Sequence, residues 1–160
     1  MSERLERAQC LVIRENKLLM VKLRLKENGQ EFWCIPGGHI ENGETPEEAA
    51  IRELKEECRV DGVILGTLNI NENPSEEIIL PYHKVYSFLM DIGNQEPGIG
   101  IEPESDEGIL DVRWLSLDEI PERDRVDLWM AGLVTMQEFM DEVLSWGNDI
   151  SYPGQGKYSE

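Results

Sequence analysis

Cysteine and histidine are scarce in this chain. Its 160 residues include three cysteines and two histidines, and no Cys-x-x-C pair occurs. The odd number and wide spacing of Cys10, Cys34 and Cys58 argue against a disulfide framework, and their apolar neighbours predict buried thiols in a reducing compartment. His39 and His83 are isolated in the sequence, which argues against a histidine-rich zinc site.

Long apolar runs are also missing. No segment reaches the ~20 apolar residues that a membrane span needs, and the first ten residues, MSERLERAQC, lack the apolar stretch of a signal peptide. We therefore expect a cytoplasmic protein with no membrane as partner. The length suits one domain, which we place at residues 1–146, followed by a flexible tail at residues 147–160.

Positive charge is the third shortage. Fifteen Lys and Arg residues stand against 33 Asp and Glu residues, a formal net charge of −18. Such a chain is a poor partner for a nucleic-acid polymer or an anionic membrane. A small polyphosphate is still compatible as a substrate, because bound divalent cations reverse the local charge of an acidic site. Four basic residues could either complete a phosphate site or line solvated strand faces: Arg14, Lys22, Arg24 and Lys26.

Acidic residues are abundant in one informative segment, which runs from Gly38 to Val60 and reads GHIENGETPEEAAIRELKEECRV. Its glutamates Glu53, Glu56 and Glu57 follow i, i+3 and i+4 spacing, which places them on one face of a helix. Like charges at these separations repel each other. A divalent cation in front of the three carboxylates would offset that repulsion, and carboxylate oxygen is a ligand that Mg²⁺ and Mn²⁺ prefer.

The same segment carries the signals of a helix start. Thr45 suits the N-cap, Pro46 suits the first helical position, and Glu48 completes a capping box. The helix is therefore predicted at about residues 45–58. Its apolar side would consist of Ala50, Ile51, Leu54 and Cys58, and the adjoining side would carry Ala49 and the three glutamates.

A strand-like run ends just before this helix, at Pro36-Gly37-Gly38. We expect a turn here, because glycine accepts positive φ and lets backbone carbonyls approach a ligand closely. Carbonyl oxygens would then add to the carboxylates as ligands for a hard divalent cation.

These residues resemble the Nudix box, G-x5-E-x7-R-E-U-x-E-E-x-G-U, in which U is an aliphatic residue. Arg59 departs from the pattern, because the family has its second glycine there and that glycine normally ends the helix in the left-handed conformation. Either Arg59 adopts this conformation, at a cost of about 1–2 kcal/mol, or the helix continues and Gly62 ends it. The matched positions are Gly38, Glu44, Arg52, Glu53, Leu54, Glu56, Glu57 and Val60.

The resemblance implies an enzyme that hydrolyses a phosphoanhydride bond in a nucleoside diphosphate linked to another group. It implies Mg²⁺ or Mn²⁺ as cofactor and a small nucleotide as substrate. It also makes a homodimer plausible. The implied metal ligands are Glu53, Glu56, Glu57 and the carbonyl of Gly37 or Gly38.

Supporting roles follow from the same family pattern. Glu44 and Arg52 would orient the metal ligands. Some family members use a box glutamate as general base, for which Glu53 is our first choice. Other members use an acid on a distant loop, and here Glu107 of the acid-rich loop at 93–108 is the candidate.

Substrate contacts are less specified by the sequence. Arg24 could bind phosphate, Phe32 could stack on a base, and Gly38 and His39 lie beside the box. The departure at Arg59 and the acidic loop leave a second hypothesis open, a Nudix-fold module that binds a nucleotide or a protein without cleaving anything.

The order of predicted elements favours an α+β or α/β fold. Apolar residues recur at helical intervals over about 122–146, which predicts a long C-terminal helix. The resemblance sharpens this order into a Nudix-type α/β/α sandwich with a mixed β-sheet. The predicted strands lie at 8–14 and 17–25, which form a hairpin, and at 31–35, 63–70, 82–92 and 109–115.

Overall fold

The computed structural model describes residues 5–24, 29–72, 82–100, 108–121, 124, 151–152 and 156–157. Within these ranges the chain forms one α-helix, α1 (Pro46–Cys58), and a short 3-10 helix at Leu117–Glu119. Ser151–Tyr152 and Gly156–Lys157 form a separate antiparallel ladder. The remaining strands are β1 (Leu5–Arg14), β2 (Lys17–Arg24), β3 (Glu31–Cys34), β4 (Gly37–His39), β5 (Val63–Glu72), β6 (Tyr82–Asp91) and β7 (Gly108–Leu115).

These seven strands form one mixed sheet with β1 near its middle. The strand order is β3-β2-β1-β6-β5, while β4 pairs with β1 and β7 pairs with β2. β1 runs parallel to β6 and antiparallel to both β2 and β4. The predicted mixed sheet is therefore confirmed, and β1 connects the rest of the sheet to β4, the strand that precedes α1.

The predicted hairpin of β1 and β2 is also confirmed. Its turn residues Glu15 and Asn16 have φ of 52° and 63°, and positive φ at both central residues matches the right-handed twist of the flanking strands. Ile13 then faces Leu18 across the ladder.

Helix α1 packs its small residues against the sheet. Ala49 and Ala50 are fully buried in one core cluster with Cys10 and Phe88. Their size lets the helix backbone approach β1 closely, so that the thiol of Cys10 donates a hydrogen bond to the carbonyl of Ala50 (3.1 Å). The helix axis is therefore fixed relative to β1, the strand that also pairs with β4.

One residue of the predicted apolar side is placed differently. Ile51 is 40% exposed, whereas Glu53 and Glu57 are buried. At roughly 100° per residue, the buried residues of the helix form a face whose midpoint lies near Glu57. Ile51 and Glu56 therefore fall at the two borders of this face. The apolar character of Ile51 favoured a buried position, but the face of the helix that packs against the sheet is centred elsewhere.

The three cysteines are buried thiols, as predicted. Burial raises the pKa of both Cys10 and Cys58, and the carboxylate of Glu57 adds to the rise. A thiol with a raised pKa is a poor nucleophile at neutral pH. These residues therefore act as small core side chains.

Some predictions concern parts of the chain that the structure does not describe. Apart from Asp124, the predicted C-terminal helix at about 122–146 lies outside the described residues, as do Lys26 and Glu107. Among the helices of the described ranges, none has the length and apolarity required to cross a membrane.

Candidate functional site

The start of α1 is fixed by the predicted capping box. The hydroxyl of Thr45 accepts a hydrogen bond from the backbone N–H of Glu48 (3.1 Å), and the Glu48 carboxylate accepts one from the backbone N–H of Thr45 (2.9 Å). This reciprocal pair satisfies two N–H groups that the helix start would otherwise leave unpaired. The box therefore determines which helix positions face the sheet.

The end of α1 resolves the question raised by Arg59. This residue has φ 62° and ψ 31°, and its backbone N–H donates to the carbonyl of Lys55 (3.0 Å). Arg59 thus carries the left-handed conformation itself. Gly62 does not end the helix; a Cβ there would lie 2.7 Å from Leu54 Cδ2 and 2.8 Å from Met90 Cε.

The predicted turn at Gly37 and Gly38 is wrong. Both residues belong to β4, and neither has positive φ. A Cβ on Gly37 would overlap the carbonyl oxygen of Ala8, so the backbone of β1 requires glycine there. A Cβ on Gly38 would overlap a carboxylate oxygen of Glu53, and that side chain would have to move. The two glycines therefore let β4 lie directly between β1 and the carboxylates of α1.

Two of the three glutamates are deeply buried beside β4. Glu53 is 4% exposed and Glu57 is 3% exposed, while Glu56 is half-buried. The backbone N–H of Gly37 donates to Glu57 Oε1 (3.0 Å), and the Glu53 carboxylate lies against Gly38. Burial of ionised carboxylates is costly without compensating contacts, and here those contacts come from Gly37 and from Arg52.

Arg52 joins Glu53 and Glu56 to a further carboxylate, that of Glu44. Its Nη1 donates to Glu53 Oε1 (2.9 Å) and to Glu56 Oε1 (3.1 Å). Its Nε and Nη2 donate to the two oxygens of Glu44 (2.7 and 3.0 Å), and Nη2 also donates to the carbonyl of His39 (3.0 Å). One guanidinium group therefore fixes the geometry of three carboxylates and of the end of β4.

The ion pair with Arg52 lowers the pKa of Glu44. Because the folded-state pKa lies below the unfolded value, this pair stabilises the fold above the unfolded pKa, and the stabilisation is lost as the pH falls through the folded pKa. We therefore expect Glu44→Gln to be less stable than the wild type at about pH 7, with a difference that narrows toward about pH 3. Urea denaturation of both proteins across this range measures it; a difference independent of pH would contradict the assignment.

The carboxylates are held by hydrogen bonds in this structure. Within the described ranges, no three His, Cys, Asp or Glu side chains converge in a geometry ready to hold a metal ion. Arg52 engages Glu53 and Glu56, and Gly37 engages Glu57. The donor chemistry nevertheless fits a hard divalent cation, because such a cation prefers carboxylate oxygens as ligands. Gly37 and Gly38 have no side chain that would separate these oxygens from the backbone of β4.

Of the other predicted substrate contacts, Arg24 and Phe32 lie apart from this cluster, whereas His39 contacts it through its carbonyl. Arg24 pairs with Glu31 across β2 and β3 (2.9 Å). Phe32 is buried in the main core cluster, which leaves it no exposed ring face for a base. His39 has an exposed side chain, and its carbonyl is the part bound to Arg52.

One feature of the site was not predicted from the sequence. The backbone N–H groups of Gly98 and Gly100 donate to the carbonyls of Cys58 and Glu57 at the end of α1 (2.9 Å each). The loop that contains them was predicted, but its contact with the helix was not. The Gly-x-Gly spacing in this loop, with Gly98 and Gly100 as its ends, was the signal that could have indicated a close backbone approach.

Comparison with known proteins agrees with this arrangement. The sequence profile of the NUDIX domain matches residues 4–136. A NUDIX hydrolase from Nitrosomonas europaea has the same fold, with a TM-score of 0.61 at 23% identity over 81% of this chain and 72% of that one. An ADP-ribose pyrophosphatase from Methanocaldococcus jannaschii is 28% identical over 69% of this chain and 61% of its own length.

A second curated relative is named for a different activity. It is a nucleoside triphosphate pyrophosphatase/Nudix hydrolase fusion protein from Bifidobacterium longum, 30% identical over 57% of this chain and 17% of its own length. The chain thus spans less than two thirds of the length of either curated relative. The domain match nevertheless covers most of the chain, and so the chain belongs to the NUDIX family.

Proposed function

We propose that this protein is a Nudix pyrophosphohydrolase that uses Mg²⁺ or Mn²⁺ to hydrolyse a phosphoanhydride bond in a nucleoside diphosphate-linked substrate. The observation that carries the proposal is the burial of Glu53 and Glu57 on the face of α1 that lies against β4, with Arg52 bound to Glu53. Carboxylates buried at such cost, within the matched family box, point to a cation and a polyphosphate as partners.

The proposed cofactor site consists of Glu53, Glu56 and Glu57 with the carbonyl of Gly37 or Gly38. When bound, a divalent cation would neutralise phosphate charge and lower the pKa of a water molecule. Because Arg52 donates to Glu53 and Glu56 in this structure, we expect these two carboxylates to exchange part of those hydrogen bonds for the cation. Glu57 would keep its orientation through the N–H of Gly37.

The remaining roles belong to the polar groups around the cluster. Glu44 holds Arg52 through two hydrogen bonds and would keep the guanidinium group in position while the carboxylates rearrange. We assign Glu53 as the general base, which would accept the proton of the attacking water. Glu107 is the alternative base, on the acidic loop.

The group attached to the diphosphate is the open part of the proposal. One curated relative is named for ADP-ribose and another for nucleoside triphosphates. We propose a nucleoside triphosphate, a nucleotide sugar or ADP-ribose as substrate class. The cytoplasmic location, the homodimer and the single domain at residues 1–146 stay predictions.

A substrate panel tests this function. Incubation with nucleoside triphosphates, nucleotide sugars, ADP-ribose and dinucleoside polyphosphates, followed by mass spectrometry, should show release of phosphate, pyrophosphate or a nucleoside monophosphate from at least one class. The release should stop when EDTA removes the metal and return when Mg²⁺ is added in excess. Tight binding of a nucleotide without turnover of any compound would favour the non-catalytic binding module instead.

A further inference from the structure

We infer that Gly100 is a positioning residue for the carboxylate site, through its contact with the end of α1. The inference rests on the proposed function, because the site that Gly100 would position is the proposed metal site. Gly100 donates its N–H to the carbonyl of Glu57 (2.9 Å), and Gly98 donates to the neighbouring carbonyl of Cys58 (2.9 Å). The last four carbonyls of a helix have no partner within the helix, so these two bonds attach the loop to the last turn of α1, which carries Glu56 and Glu57.

The segment at 93–100 is also held from its other side. Arg14 Nη2 donates to the carbonyls of Gly93 (2.9 Å) and Gln95 (3.0 Å). The side chain of Gln95 makes two hydrogen bonds to the backbone of Asp61, as acceptor from its N–H (2.9 Å) and as donor to its carbonyl (2.8 Å). The loop is therefore attached to β1 and to the residues that follow α1, and it cannot shift without breaking several bonds.

The two glycines differ in the space that is available for a side chain. A Cβ on Gly100 would overlap the carbonyl oxygen of Glu56 and would lie 2.7 Å from the carbonyl carbon and oxygen of Glu57. A Cβ on Gly98 would meet Arg59 Cδ at 3.8 Å, an ordinary contact. Neither glycine has positive φ. Alanine at position 98 thus fits as it stands, whereas alanine at position 100 collides with the backbone of the last turn of α1, so that the loop or the helix end must shift.

Glu57 is consequently fixed at both ends. Its carboxylate accepts a hydrogen bond from Gly37, and its carbonyl accepts one from Gly100. Displacement of the loop by a side chain at position 100 would release the carbonyl and loosen the last turn of α1. The carboxylates of Glu56 and Glu57 would then lose their fixed separation from Glu53, which a metal site requires.

The test compares Gly100→Ala with Gly98→Ala in the full chain, with Mn²⁺ alone as probe. Free Mn²⁺ measured by electron paramagnetic resonance should show binding weakened about 10- to 100-fold in Gly100→Ala, the range seen when supporting contacts of a metal site are lost. Gly98→Ala should stay within about twofold of the wild type, because it has no collision to relieve. Amide hydrogen exchange without metal should speed up in the last turn of α1 in Gly100→Ala alone.

Several outcomes would overturn the inference. Unchanged Mn²⁺ affinity in Gly100→Ala, even with a lower unfolding temperature, would reduce the residue to a structural role. Equal losses in both variants would show a general loop disturbance. If Gly100→Ala does not fold, Gln95→Ala replaces it, with Asn94→Ala at an exposed position as control, and equal Mn²⁺ affinities of that pair would count against the inference.

The outcome is separable from that of the proposed function. Mn²⁺ binding and hydrogen exchange need no substrate, so a wild type that binds Mn²⁺ and hydrolyses nothing would refute the proposed function while the comparison of glycines still holds. A hydrolysing wild type whose Gly100→Ala variant binds Mn²⁺ equally well would refute the inference alone.

Discussion

Glu57→Gln is expected to lower kcat at least about a hundredfold, which corresponds to about 2.7 kcal/mol of transition-state stabilisation. Glutamine keeps an oxygen that can accept the hydrogen bond from the N–H of Gly37 (3.0 Å in the wild type), so the contact between α1 and β4 survives. What disappears is a buried negative charge that the proposed cation requires. Steady-state kinetics with the best compound of the panel, at saturating Mg²⁺, provide the measurement.

Glu47→Gln is the matched control for this substitution. Glu47 lies in the first turn of the same helix and is exposed, so the chemical change is identical but takes place away from the carboxylate cluster. Its kcat should stay within about twofold of the wild type. Undiminished turnover in Glu57→Gln would remove this residue from the proposed metal ligands.

Arg52→Ala is expected to damage both activity and stability. Loss of the guanidinium group removes the hydrogen bonds to Glu44, Glu53 and Glu56 and leaves three carboxylates repelling one another. The side chain is 23% exposed, so solvent screens part of the loss, and we expect about 2 kcal/mol of destabilisation. kcat/KM should fall about a hundredfold, because the ligands lose their common anchor.

Arg52→Lys separates charge from geometry at this position. A lysine keeps the positive charge, but its single nitrogen cannot reproduce the fork that binds Glu44 through two nitrogens. Its stability should recover more than its activity.

Denaturant unfolding with and without Mg²⁺ adds a second measurement: the destabilisation of Arg52→Ala should shrink when the cation is present, because a bound cation offsets the same repulsion.

Lys55→Ala is the control for the arginine variants. Lys55 lies on the same helix, is more than half exposed, and pairs with Asp61 (3.1 Å). Its removal should change stability by less than about 0.5 kcal/mol. An equal effect of Mg²⁺ on the stability of Arg52→Ala and Lys55→Ala would contradict the idea that the cation and Arg52 share the same carboxylates.

Features that depend on neighbouring residues were predictable from the sequence. The capping box of Thr45 and Glu48 and the spacing of the three glutamates act within a few residues, so the bounds and the register of α1 follow from local rules. The hairpin at Glu15 and Asn16 is equally local. The structure confirms both elements.

Features that depend on distant strands were not predictable in this way. The sequence contains glycines at positions 37 and 38, but it does not show why they are there. The reason is the closeness of Ala8 and Glu53, which arises only once β4 lies between β1 and α1. Periodicity likewise favoured Ile51 for the packed face, while the packing direction of α1 left it exposed and buried Glu53 instead.

The sequence by itself determined a capped helix with three glutamates and an arginine on it, because capping and helical periodicity are encoded within one or two turns. The tertiary structure alone decided that two of those glutamates are buried, that Gly37 orients Glu57, and that Gly100 holds the end of the helix. The reason is physical: these contacts join residues from 20 to 43 positions apart, and such pairs are chosen by the packing of the whole sheet and helix rather than by any local pattern.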